Sequence, residues 1–261
     1  MVYRGGIFSK RKKKLGQHFL IDDRVVLEVY HELEKLDKNS IIIETGAGCG
    51  AITQQICKLN SFIVAIEIDR EFCRILKSKL REQENVDVIC ADVLKIKFPE
   101  NSIIVGAPPY NITTSLLTKC IIHNIKSAVL VLQKEVCEKI TQRGRKGKFS
   151  YLSRFISTFA EVKLGRKVEK SSFFPQPSVD SQIIVIRVNK RREIKRNIRE
   201  EYLIFLRALF EKFKRKKIKE AVKAGLIPYK TVGKEEMTKR VFEVPEEELF
   251  NLFLRRVGEL E

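Results

Sequence analysis

The sequence predicts an α/β protein, in which a doubly wound parallel sheet is followed by a small helical domain at the C-terminus. Short apolar runs rich in β-branched residues recur through the first half of the chain, at residues 41–43, 62–66, 86–89, 103–105 and 128–132. Each run is continuous rather than alternating, as expected of strands buried on both faces of a parallel sheet. A change to purely helical periodicity after residue 196 indicates the second domain.

Amphipathic segments separate the apolar runs. Residues 71–80 form one of them, and Asp69 is the expected N-cap of this helix. Strands that alternate with helices are typical of βαβ units. Two further strands are expected at residues 162–168 and 182–188, on either side of a loop that contains two prolines.

The C-terminal part of the chain begins with a charge-rich stretch at residues 190–196, which we interpret as a linker. Apolar residues between Tyr202 and Phe213 then recur at helical spacing, and residues 246–260 repeat this pattern. We therefore predict an α/β domain at residues 1–188, with a basic N-terminal segment at residues 1–20. A basic linker and a helical domain follow at residues 189–261.

The chain is strongly basic. It has 51 Lys and Arg residues against 33 Asp and Glu residues, and a formal net charge of +18. Such a charge favours a polyanionic partner, and nucleic acid is the simplest one. The cations cluster at residues 10–14, 143–148, 190–196 and 212–219. The charge disfavours an enzyme that acts only on small molecules.

Several other classes of protein are disfavoured by the composition. No apolar run approaches the roughly 20 residues of a membrane-spanning helix, so we expect no membrane partner. The six cysteines are scattered, without a Cys-x-x-Cys pair or an adjacent His cluster. This spacing predicts no metal site, and free thiols suit the reducing cytoplasm.

A glycine-rich turn follows the first apolar run directly. Gly46 and Gly48 lie in this turn, where glycines let the backbone approach a ligand closely. Glu67 ends the second run, and an acid at this position can accept the ribose hydroxyls of a nucleoside. These features fit NAD and S-adenosyl-L-methionine equally well.

Two later features favour S-adenosyl-L-methionine. Asp92 follows the third run, where a carboxylate can accept the adenine amino group. The fourth run is followed by Ala107, Pro108, Pro109 and Tyr110. Prolines form a stiff wall with fixed carbonyl directions. A carbonyl beside an aromatic ring suits a planar base with an exocyclic amine.

Several segments together resemble one known family, the ribosomal RNA adenine dimethyltransferases of the kasugamycin-resistance type. This family includes archaeal and eukaryotic counterparts and mitochondrial transcription factor B. The matching segments are Lys-Leu-Gly-Gln-His-Phe-Leu at 14–20, Glu-Thr-Gly-Ala-Gly at 44–48, Glu-Ile-Asp at 67–69, Phe-Phe-Pro-Gln-Pro-Ser-Val-Asp-Ser at 173–181, and the helix at 205–210 with the basic residues 214–217. The resemblance therefore spans most of the chain.

The resemblance implies a Rossmann-like methyltransferase sheet and S-adenosyl-L-methionine as the cofactor. It implies dimethylation of adenines in small-subunit ribosomal RNA or a pre-ribosomal particle, by a monomeric protein that acts in ribosome biogenesis. The implied cofactor contacts are His18, Leu20, Gly46, Glu67 and Asp92, with Gly48 in the same loop. Tyr110 and Phe173 are implied to sandwich the target adenine beside residues 107–109.

Ala107 is the one serious departure from the family pattern, which has Asn, or occasionally Asp or Ser, at this position. Alanine lacks the side-chain acceptor for the target amine, and losing one such contact costs on the order of 10²–10³ in rate. A dimethyltransferase of reduced activity and a non-catalytic ribosome-assembly factor therefore both stay open. A large-subunit RNA methyltransferase of the macrolide-resistance type and a DNA-directed mitochondrial factor are further alternatives.

Overall fold

The computed structural model describes residues 17–36, 40–141, 149–189, 191 and 193–259. The basic clusters predicted at residues 10–14 and 143–148 lie outside the described residues. The same is true of residues 14–16 of the N-terminal motif, residues 190 and 192 of the predicted linker, and residue 260. The described residues form two compact units. The first contains residues up to Cys137 and Lys163–Arg187, and the second contains residues within Glu138–Val162 and Val188–Glu261.

Most strands belong to one central sheet. In chain order, the strands of the described residues are β1 (Phe19–Leu20), β2 (Ile42–Thr45), β3 (Ile63–Glu67), β4 (Val86–Cys90), β5 (Ile103–Gly106), β6 (Ser127–Gln133), β7 (Glu161–Val168), β8 (Phe173–Phe174) and β9 (Ser181–Arg187). The order in the sheet is β4-β3-β2-β5-β6-β9-β7. Strands β2 to β6 pair in parallel, and β9 is antiparallel to β6. The predicted α/β fold is confirmed, and each predicted strand forms within one or two residues of its expected bounds.

The helices follow the predicted pattern. In chain order they are α1 (Asp23–Glu34), α2 (Thr53–Ile56), α3 (Arg70–Lys79), α4 (Thr113–Ile122), α5 (Lys134–Thr141), α6 (Tyr151–Phe159), α7 (Arg196–Phe213), α8 (Ile218–Lys223), α9 (Lys234–Thr238) and α10 (Glu246–Val257). Asp69 caps α3 as predicted, because its side chain accepts the Glu71 N–H at 2.8 Å. None of the described helices is both long and apolar enough to span a membrane.

The parallel strands bring distant parts of the chain to one edge of the sheet. Since β2, β3, β4 and β5 run in the same direction, the segments that follow them emerge at the same carboxyl edge. Gly106 ends β5 with a φ of +146°, and a Cβ there would lie 2.4 Å from the Thr45 carbonyl oxygen. Glycine is therefore required where β5 approaches β2, directly before Ala107.

The second unit has its own aromatic core. The ring of Tyr202 in α7 is fully buried and lies 6.2 Å from Phe155 of α6 and 4.9 Å from Phe250 of α10. Arg154 of α6 also bonds Glu246 at 2.9 Å. Helix α6 thus belongs with the C-terminal helices, whereas the prediction had placed the whole of residues 1–188 in one domain. The reason is tertiary: the apolar face of α6 packs on α7.

Candidate functional site

All predicted site residues line one pocket at the carboxyl edge of the sheet in the first unit. They are His18, Leu20, Gly46, Gly48, Glu67, Asp92, Ala107, Pro108, Pro109, Tyr110 and Phe173. We call the part lined by Glu44, Glu67 and Asp92 the acidic end. The part lined by residues 107–110 and Phe173 is called the Pro-Tyr end.

Glu67 organises the acidic end. Its Oε2 accepts the Gly48 N–H at 2.8 Å, and its Oε1 accepts the N–H groups of Ile68 and Asp69, each at 2.9 Å. Burial raises the pKa of Glu67, and these backbone hydrogen bonds oppose the increase. A carboxylate offers about four acceptor positions. Three are occupied in this geometry, which leaves about one for a ligand hydroxyl, and the contact of Glu67 with the ribose stays a prediction.

The glycine-rich turn positions the Gly48 N–H for its hydrogen bond to Glu67. Gly48 has a φ of +55°, which a side chain would strain, and an added Cβ would lie 3.0 Å from the Phe19 ring. The turn therefore places the Gly48 N–H directly on Glu67. The glycines also add no side chain of their own between the backbone and a ligand.

Asp92 lies two residues beyond β4 and faces an apolar wall. Its Oδ1 accepts the Leu94 N–H at 2.9 Å, and its Oδ2 makes no hydrogen bond within the described part of the chain. Ile68 and Val93 line the same end, and Ile68 is 51% exposed, although it is a large apolar side chain. One free acceptor beside an apolar wall suits a planar base with an amino group.

Glu44 is a pocket residue to which the sequence reasoning assigned no role. It lies in β2, is 1% exposed, and its Oε2 makes no hydrogen bond within the described residues. Burial raises the pKa of Glu44 to about 8. A buried carboxylate oxygen without a partner is costly, and a ligand with a cationic donor would relieve that cost. The available clue was an acid within an otherwise apolar strand.

The Pro-Tyr end is rigid. Pro109 has a φ of −54° and a ψ of 139°, and the helical turn Tyr110–Ile112 follows it. The Tyr110 hydroxyl and Ser181 Oγ form a hydrogen bond of 2.8 Å, and burial raises the pKa of Tyr110. Ala107 is half-buried and offers only a methyl group to the pocket.

The N-terminal motif reaches the pocket by pairing with the aromatic loop. Strand β1 is antiparallel to β8, with Leu20 opposite Phe173. His18 Nδ1 donates a hydrogen bond of 2.7 Å to the Pro175 carbonyl oxygen, and the His18 ring is 5.6 Å from the Tyr110 ring. Phe173 is 4% exposed and also packs into the core. Contacts between residues more than 150 positions apart in the sequence thus close this side of the pocket.

The sheet order and this pocket define the class of Rossmann-like methyltransferases. The crystal structure of a dimethyladenosine transferase from Plasmodium falciparum is similar to this fold, with a TM-score of 0.80 and 23% identity over 93% of this chain and 98% of that chain. The 23S rRNA methyltransferase ErmE is also similar, with a TM-score of 0.65 and 27% identity over 92% of this chain and 99% of its own.

A family model for the ribosomal RNA adenine dimethylases matches residues 8–254, and the chain belongs to this family. Among curated relatives, ribosomal RNA small subunit methyltransferase A of Thermotoga maritima is 35% identical over 93% of this chain and 84% of its own length. The family resemblance predicted from the motifs is confirmed.

Proposed function

We propose that the protein transfers methyl groups from S-adenosyl-L-methionine to the exocyclic amine of adenines in small-subunit ribosomal RNA, twice for each base. One observation carries the proposal: a single pocket joins an acidic end suited to a nucleoside with a Pro-Tyr end suited to a second planar base. Membership of the adenine dimethylase family supports it.

The residues at the acidic end fit the cofactor. Glu67 has one acceptor position for a ribose hydroxyl, Asp92 Oδ2 can accept the adenine amino group, and the unpartnered Oε2 of Glu44 suits the methionine ammonium. When bound, the cofactor would supply a methyl group on a sulfonium sulfur; its transfer to the amine nitrogen would leave the C–S electron pair on sulfur and release the surplus amine proton to water.

At the Pro-Tyr end, the protein has only to position the amine. The Pro108 carbonyl would accept one amine hydrogen, and the Tyr110 and Phe173 rings would stack on the base. An oriented neutral amine is already a nucleophile, so proximity and orientation supply most of the rate. Splaying the adenine out of its helix costs a few kcal/mol, which an unpaired loop reduces.

Exposed cations of the second unit would bind the RNA phosphates. They are Lys212, Arg215, Lys216, Lys217 and Lys219.

We further propose that the substrate is a pre-ribosomal particle in the cytoplasm and that the protein acts on it as a monomer.

A second candidate function is a non-catalytic assembly factor, and Ala107 is the observation that favours it. The deciding experiment is incubation with methyl-labelled cofactor and small ribosomal subunits that lack the modification, followed by nucleoside analysis. Label in N6,N6-dimethyladenosine of the small subunit supports the proposed enzyme. Cofactor and RNA binding without label would instead support the assembly factor, and label only in large subunits would support the macrolide-resistance type.

A further inference from the structure

The Pro-Tyr end lacks a side-chain acceptor at Ala107, because a methyl group cannot accept a hydrogen bond. Before the first transfer a target amine carries two hydrogens, and the Pro108 carbonyl can account for one. A second hydrogen left without a partner in a closed pocket would lose its hydration without compensation. Another acceptor on the pocket wall would remove this cost and fix the direction of the nitrogen lone pair.

Gln17 offers such an acceptor. It lines the same pocket as Ala107, Pro108 and Tyr110. Its Oε1 is buried from solvent and makes no hydrogen bond within the described residues. Buried side-chain oxygens are normally paired, so one without a partner in a ligand pocket points to a donor that arrives with the ligand.

The backbone beside Gln17 is held in place. His18 is bonded to the Pro175 carbonyl oxygen at 2.7 Å, and Phe19 pairs with Phe174 in the β1–β8 ladder. Gln17 therefore stands directly before an anchored residue, and the His18 ring lies 5.6 Å from the Tyr110 ring of the Pro-Tyr end. An ordered acceptor loses little conformational freedom when the amine binds.

The other polar side chains near Ala107 are less suited to this role. The His18 Nδ1 donates to the Pro175 carbonyl oxygen, and its Nε2, unlike Gln17 Oε1, is not a buried acceptor without a partner. The Tyr110 hydroxyl is bonded to Ser181 at 2.8 Å. Asn111 lines the pocket but is exposed, so water can satisfy its amide. Gln17 combines an available acceptor with burial.

We propose that Gln17 Oε1 accepts a hydrogen bond from the target adenine amine and replaces the side-chain acceptor that Ala107 lacks. The inference rests on the proposed function. Gln17 takes no proton: it orients the amine while the nitrogen lone pair attacks the methyl carbon, and the surplus proton leaves to water. Its effect should therefore fall on methyl transfer and leave cofactor affinity nearly unchanged.

The test is a double-mutant cycle on the full chain, with Gln17→Leu and Ala107→Asn separately and together. Single-turnover methyl transfer to unmodified small subunits and the Kd for S-adenosyl-L-methionine are measured for each protein. We expect Gln17→Leu to slow transfer on the order of 10²-fold, with a Kd within about threefold. In the Ala107→Asn background the introduced amide supplies the acceptor. There we expect Gln17→Leu to slow methyl transfer by less than about tenfold. Gln17→Glu, which keeps an acceptor, should retain most of the rate.

Several results would overturn the inference. A Gln17→Leu protein with an unchanged transfer rate would do so, and so would an equal loss in the Ala107→Asn background. A Kd that rises as much as the rate falls would make Gln17 a cofactor contact instead. If the unaltered chain is inert and Ala107→Asn restores transfer, Gln17 does not replace the acceptor, although the proposed chemistry stands. If neither protein methylates small subunits while both bind cofactor, the proposed function fails and the inference fails with it.

Discussion

The two ends of the pocket differ in the groups that they offer to a ligand. The acidic end offers carboxyl groups: three backbone N–H groups hold Glu67, and Glu44 Oε2 has no partner within the described residues. The Pro-Tyr end offers neutral groups, and Ala107 contributes no side-chain acceptor there; Gln17 Oε1, on the wall of the same pocket, also has no partner within the described residues. Because the carboxyl groups of the acidic end fit the cofactor, changes there should act on cofactor affinity. Changes at the Pro-Tyr end should act on methyl transfer.

The largest expected effect is at Glu67. Glu67→Gln replaces one carboxylate oxygen by an NH2 group, which cannot accept the backbone N–H bonds that the oxygen received. We expect the Kd for S-adenosyl-L-methionine, measured by calorimetry, to rise on the order of 10²-fold. Glu82→Gln is the matched control, because Glu82 is highly exposed and pairs only with exposed Arg81 among the described residues. A Kd for Glu67→Gln within about threefold of the control would contradict the role of Glu67.

A smaller effect of a different kind is expected at Tyr110. Tyr110→Ala removes a ring that would stack on the target base, a contact worth roughly 1–3 kcal/mol. Methyl transfer per encounter, measured as kcat/KM for small subunits, should fall about tenfold or more, with cofactor affinity nearly unchanged. Tyr110→Phe loses only the hydroxyl bond to Ser181 and should be milder. If both variants are equally impaired, stacking is not the role of this ring.

The pH dependence of stability tests the protonation state of Glu44 at the acidic end. Its pKa is about 8 in the fold against 4.5 as a free side chain, so its contribution to stability is complete below about pH 4.5 and is lost as the pH rises towards 8. Glu44→Gln removes this dependence. As the pH rises from about 5 to 8, the free energy of unfolding of the variant should therefore increase by a few kcal/mol relative to that of the unaltered protein without cofactor.

Denaturant unfolding of both proteins at the two pH values, without cofactor, measures this difference. Glu82→Gln again serves as the control, and its offset from the unaltered protein should not change with pH. If the difference in unfolding free energy between Glu44→Gln and the unaltered protein also does not change with pH, Glu44 is ionised in the fold across this range.

The smallest expected effect lies in the second unit. Replacing exposed Lys212, Lys216 and Lys219 by Gln should lower the slope of log affinity for ribosomal RNA against log salt by about 2 to 3, between ~50 and ~200 mM salt. Filter binding measures the slope, and cofactor affinity should stay constant. An unchanged slope would place the phosphate contacts elsewhere on the protein.

Much of the fold could be predicted from the sequence because local patterns carry it. Continuous β-branched runs predicted the strands, and Asp69 was recognised as a helix cap from its position alone. The β1–β8 pairing could not be predicted, since two-residue strands have no periodicity. The placement of α6 with the C-terminal helices could not be predicted either, because the ring on which it packs, Tyr202, lies far along the chain.

The candidate site shows the same limit. The eleven predicted residues stand in motifs with recognisable spacing, and the structure brings them into one pocket. Glu44 and Gln17 stand inside the same motifs, but nothing in the sequence showed that their oxygens would be buried without partners. The reduced acceptor capacity of Glu67 was equally hidden, because it depends on three hydrogen bonds that form only in the fold.

The most direct test of the contrast between the two ends is Ala107→Asn, assayed for single-turnover methyl transfer to unmodified small subunits and for cofactor Kd. The contrast predicts a faster transfer, by up to about tenfold if Gln17 already supplies part of the missing contact, and a Kd within about twofold of the unaltered protein. A Kd that changes on the order of tenfold while the transfer rate stays constant would contradict it, because position 107 would then belong to the cofactor contacts.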